Sequence, residues 1–141
     1  MRTFKTFRVM AVETRRVVTT GRKWERIVGY ARAVRVGPVI EISGCAPTAD
    51  DGSTVGDNVY EQTRQCLRVI GEALSAVGAG FDDVTRTRIF TTVPRRWRDI
   101  GRAHGEVFGA IKPVTTLVGV RGFLDPKWLV EVEASAYRAE R

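Results

Sequence analysis

Leu129-Val-Glu-Val-Glu-Ala-Ser-Ala-Tyr137 is the stretch from which the fold can be read. Successive side chains of an extended strand point to opposite faces. Leu129, Glu131, Glu133, Ser135 and Tyr137 therefore share one face, and Val130, Val132, Ala134 and Ala136 share the other. The apolar face suits a cover of helices. The carboxylate face is either solvated or packed against another subunit, and periodicity leaves both open.

Working back from this strand, Val114 to Arg121 reads as another strand, separated from it by Gly122-Phe-Leu-Asp-Pro126. Before Pro113, the side chains Trp97, Ile100, His104, Val107, Phe108 and Ile111 recur at helical spacing. Val84 to Val93, rich in β-branched residues and stopped by Pro94, is a strand. Its expected faces are Arg86, Arg88 and Phe90 on one side, and Thr85, Thr87, Ile89 and Thr91 on the other. A longer amphipathic helix carries Val59, Thr63, Cys66, Leu67, Ile70, Ala73, Leu74 and Val77, with Asp57 as its expected cap and Gly78 as its end. Ala31 to Val36 and Val39 to Ser43 flank Gly37-Pro38 as a hairpin. A further strand near Val12 to Thr19 completes an α+β order, in which one sheet carries two helices on one face.

At 141 residues and 43% hydrophobic, the chain is sized for one domain with a core. It has no apolar run of the roughly 20 residues that a spanning helix needs and no secretory-type leader, so a cytoplasmic protein with no membrane partner is expected. Two separated cysteines and the single His104 are too few for a zinc site or a disulfide framework. No metal and no cofactor are expected. Cys66 falls on a core-facing helix position, whereas Cys45 at a strand end is expected to be the more exposed thiol.

The net charge of +7 is unevenly distributed. Residues 1–26 hold eight basic side chains against Glu13 and Glu25, and the rest of the chain is close to neutral. Residues 1–25 therefore read as a basic arm with room for one strand, ahead of a domain over 26–141. The arm is a solvated extension or the product of a start upstream of Met10. A body this close to neutral makes nucleic acid an unexpected partner, with RNA or protein binding through the arm as the alternative.

There is no GxSxG elbow, no P-loop and no completed dinucleotide fingerprint. Glu131 and Glu133 lie one strand repeat apart, about 7 Å, and need a cation or a raised pKa. Arg88 is the candidate cation, read as a structural ion pair before a ligand-binding group. His104 reads as a packed helix residue before a catalytic one.

The strings Val28-Gly-Tyr30-Ala-Arg-Ala-Val34, Ile42-Ser-Gly44, Glu61-Gln-Thr-Arg64, Asp82-Asp-Val84 and Leu129-Val-Glu-Val-Glu-Ala134 occur in an order and spacing that resemble the Rid superfamily of YjgF-like proteins. The resemblance implies a chorismate-mutase-like α+β subunit, a homotrimer packed through its open sheet faces, and small-molecule clefts between subunits. It implies pocket positions at Tyr30, Ser43, Gly44 and Glu133, with Glu133 able to polarise a water, and Thr116 where some members carry cysteine.

Deaminases of this family hydrolyse imines and enamines to 2-oxo acids without a cofactor, and grip the substrate carboxylate with an arginine in a Pro-Ala-Arg-Ser/Thr string. Here that string reads Pro113-Val114-Thr115-Thr116, and Val114 is taken as the arginine position. Gly101 replaces a common asparagine, His104 stands where an aromatic residue is common, and the Arg121 to Trp128 connection is longer. The pattern resembles the subgroups without the arginine. The implied function is binding or hydrolysis of a small imine, enamine or carbonyl metabolite, without efficient 2-imino acid deamination. The alternative is a deaminase with Arg88 or another arginine as its anchor. Losing a charge-assisted carboxylate contact costs roughly 1.5–3 kcal/mol, about ten- to a hundredfold in affinity.

Overall fold

The structure, a computed structural model, describes residues 14–140. The first thirteen residues of the basic arm, including the expected strand's start at Val12, lie outside the described residues. Strand β1 (Arg15–Val18) leads into a short helix α1 (Lys23–Val28), then β2 (Ala33–Val36) and β3 (Val39–Cys45). Helix α2 (Val59–Ala76), β4 (Val84–Thr91), helix α3 (Trp97–Phe108), β5 (Val114–Gly119) and β6 (Val130–Tyr137) complete the order. The six strands form one mixed sheet in the order β1-β2-β3-β6-β4-β5, antiparallel except for the parallel β4–β5 pair. No helix among the described residues is long and apolar enough to cross a membrane.

The period-two reading of β6 holds. Val130, Val132, Ala134 and Ala136 are buried under α2 and α3, in a core with Ile40, Ile42, Leu67, Ile70, Leu74 and Ile100. Neither of the two long helices, α2 and α3, covers the opposite face. There the register sets Glu133 beside Arg88 and Arg88 beside Thr116, in a row across β6, β4 and β5. Gly37, at φ 56°, opens the two-residue β2–β3 turn, where the mirror-image turn types require a positive φ.

Several local expectations are corrected. Asn58 caps α2 in place of Asp57: its side chain accepts from Glu61 N at 2.9 Å, while Glu61 Oε2 accepts from Asp57 N at 2.8 Å. A register shift between Val84 and Arg86 turns Val84 into the core and leaves Thr85 exposed, out of phase with Thr87, Ile89 and Thr91. Trp97 stands 52% exposed at the start of α3, with the Arg98 guanidinium 4.5 Å from its ring centroid. Helix α1 was not anticipated, since six residues carry too little periodicity to register. Glu25 ties it down: its carboxylate accepts from Thr20 N at 2.9 and 3.0 Å.

Candidate functional site

Beside the shift in β4, the sheet's regular pairing also fails between β3 and β6. Between Ile42 and Cys45 the β3–β6 register shifts, so that Ser43 and Gly44 sit in a bulge opposite the carboxylates of β6. The bulge presents Gly44, and a Cβ there would collide with Glu131 Oε1. Only glycine lets this carboxylate lie against the backbone of β3.

The concavity beside this contact is a pocket of about 470 Å³. Gly44 and Glu131 line it together with Tyr30 and Arg32. Helix α1 and the segment before β6 contribute Trp24 and Trp128. Burial pushes the Glu131 carboxyl above the usual carboxylate range; Arg32 pulls against that shift and the neighbouring Glu133 adds to it.

Arg32 is 8% exposed and lines the pocket. Its Nη1 donates to Gly44 O at 2.7 Å and lies 3.3 Å from Cys45 Sγ. Its Nε has no hydrogen-bond partner among the described residues. Cys45, expected to be exposed, is fully buried, and burial pushes its thiol up to about 11, which keeps it protonated and unreactive at neutral pH. Cys66 is buried as expected.

The residues singled out from sequence divide among three places. Tyr30 and Gly44 line the pocket. Ser43 adjoins it, but its hydroxyl is committed to Ala31 O at 2.9 Å. Glu133 does not line the pocket: it lies on the open sheet face, where Arg88 Nη1 approaches its Oε1 at 3.3 Å. Arg88 is therefore an ion-pair partner on that face, not a pocket wall, and Val114 and Thr116 are exposed on β5 beside it.

His104 is on the other side of the sheet. Its Nε2 shares a 2.8 Å hydrogen bond with Thr87 Oγ1, which shares another 2.8 Å bond with Thr115 Oγ1. The ring lies 4.7 Å from that of Phe108, and burial lowers the histidine's pKa. Neither Val114 nor Thr115, the two uncharged residues after Pro113, can grip a carboxylate.

Glu131 and Arg32, the two charged pocket residues nearest Gly44, were not read as site residues from the sequence. Glu131 and Glu133 share a face, and only the β3 bulge decides which of them meets Gly44. Arg32 stood inside a quoted motif, but nothing in its alternating basic surroundings signals that its guanidinium is buried against Gly44.

Comparison with known proteins matches residues 20–138 to the family described as Endoribonuclease L-PSP. An uncharacterized protein of Streptomyces coelicolor is 39% identical over 92% of this chain and 96% of its own length. A mouse 2-iminobutanoate/2-iminopropanoate deaminase is 34% identical over 86% of this chain and 90% of its own. The crystal structure of Mycobacterium tuberculosis Rv2704, from the YjgF/YER057c/UK114 family, superposes with a TM-score of 0.82 at 43% identity, covering 89% of this chain and 100% of that one.

Proposed function

The chain belongs to the YjgF/Rid family, and from that premise we propose that it acts in the cytoplasm as a homotrimer that binds or hydrolyses a small imine, enamine or carbonyl metabolite in the Gly44–Glu131 pocket, without efficient turnover of the short 2-imino acids. The observation that carries this reading is the Glu131 carboxyl, lodged in a pocket against Gly44 with its acidity weakened by burial. A carboxyl of that kind can take a proton from an attacking water or hold one for a departing nitrogen. In imine hydrolysis, water adds to the carbon of C=N, the nitrogen gains a proton, and cleavage of the C–N bond releases ammonia and leaves a carbonyl. In this reading Glu131 serves the water and the nitrogen in turn, and the steps themselves call for no metal or cofactor.

Against efficient deamination of short 2-imino acids stands the uncharged Val114-Thr115-Thr116 string where the family's deaminases carry arginine. The test is the rate of 2-oxobutanoate formation from freshly generated 2-iminobutanoate. The reading expects little acceleration over spontaneous hydrolysis by the wild type. Acceleration within tenfold of the mouse deaminase assayed in parallel would overturn that part of it. Loss of any residual acceleration in Glu131→Gln, but not in Glu133→Gln, would support Glu131 as the acting carboxyl.

A further inference from the structure

Arg32 is a buried cation with one side of its guanidinium unused. Its hydrogen bonds to described residues all leave from Nη1, toward Ser43, Gly44 and Cys45. Nε, on the opposite edge with Nη2, is buried and has no partner among the described residues. A buried donor left unpaired is costly, whereas the Nε–Nη2 edge matches the two oxygens of one carboxylate side-on. The other pocket cations are already engaged: Arg22 donates to Thr48 Oγ1 at 3.0 Å and Ala49 O at 2.7 Å, and Lys23 Nζ stands 4.6 Å from the Trp24 ring centroid.

Size and lining narrow the ligand further. A cavity of about 470 Å³ falls in the range of roughly 300–1,000 Å³ that takes drug-sized molecules. Its apolar wall is supplied by Trp24, Trp128 and Leu124, of which Trp24 is 39% and Leu124 77% exposed. Apolar surface of this kind around a charged anchor fits an amphipathic acid better than a four-carbon one.

We propose that Arg32 is the carboxylate anchor of this pocket, and that the pocket's ligand is an organic acid with an apolar or aromatic body bulkier than a short 2-imino acid. The inference rests on reading the Gly44–Glu131 concavity as the ligand site. It also accounts for poor use of short imino acids without leaving the pocket without an anchor.

The test is calorimetric titration of the full chain with indole-3-acetate and with indole-3-acetamide, which keeps the ring and removes the charge. The acid is expected to bind at least tenfold more tightly than the amide, and Arg32→Gln is expected to abolish that preference. Equal binding of acid and amide by the wild type overturns the anchor while leaving the pocket standing as a site. Binding of neither probe overturns the pocket reading and the anchor together. Because the acid-to-amide ratio is read on the wild type, the result does not depend on the variant folding. If Arg32→Gln does not fold, Arg32→Lys replaces it. Lys keeps the charge but not the side-on edge, so a preference reduced by tenfold or more supports the anchor, and an unchanged one counts against it.

Discussion

Arg32 and Arg35 are three residues apart, both are buried, and they do opposite things with their donors. Arg35, inside β2 and 3% exposed, donates from Nε to Gly37 O at 2.9 Å, from Nη1 to Val77 O at 2.7 Å and from Nη2 to Arg138 O at 2.9 Å. It ties the β2–β3 turn, the C-terminal end of α2 and the end of β6 into one clamp. Arg32, just before β2 and in the pocket lining, donates to described residues only from Nη1 and leaves Nε unpaired. A guanidinium whose three nitrogens each donate to a carbonyl is a strut, whereas a pocket-lining one with a buried, unpaired Nε has an edge that a ligand's carboxylate can satisfy once it reaches it. Burial alone does not separate the two.

The strongest way to break this comparison is to remove the strut. Arg35→Met should leave the Val77 and Gly37 carbonyls without their donor and cost about 3 kcal/mol or more, read as a lower urea midpoint. A loss below about 1 kcal/mol would mean that the clamp is ornamental. Arg32→Gln should cost far less stability while removing acid binding, which sharpens the contrast between strut and receptor.

Gly44→Ala tests the pocket without touching either arginine. The added Cβ displaces the Glu131 carboxyl, the flexible end of its side chain, so stability should change by about 1 kcal/mol or less, while binding of indole-3-acetate weakens. Unchanged binding, measured by the same titration, would show that Glu131 need not lie against β3.

Titration separates the pocket from the helix side of the sheet. The Glu131 pKa is raised by burial, so its contribution to stability is present at low pH and is lost as pH rises through its folded pKa. Glu131→Gln should therefore melt above the wild type at pH 7, with the gap closing near pH 4. His104 has the opposite sign: its pKa is lowered by burial, so its contribution is present above about 6.5 and is lost as pH falls below it. His104→Gln should flatten the wild-type decline in Tm between pH 7 and 5. The smallest effect is expected at Arg88→Ala. The half-exposed pair with Glu133 is worth about 1 kcal/mol at most in the subunit, and acid binding should not change.

The sheet and its two long helices were legible because β6 alternates without interruption and α2 repeats its apolar residues through eighteen positions. The site was only partly legible. Tyr30 and Gly44 could be placed by resemblance, but the choice between Glu131 and Glu133 depends on a bulge that no alternation encodes. The exposed-thiol reading of Cys45 failed for the same reason, since the residue after a bulge resumes the inward phase. Arg32 was hidden because a basic side chain in an alternating segment looks solvated until the carbonyls that receive it are placed.

The most direct measurement is a crystal structure of the full chain grown with indole-3-acetate. The account predicts both carboxylate oxygens within hydrogen-bond distance of Arg32 Nε and Nη2, with the ring against Trp24 or Trp128. A carboxylate held instead by Arg88 on the open sheet face, with the Arg32 edge still unpaired, would contradict it.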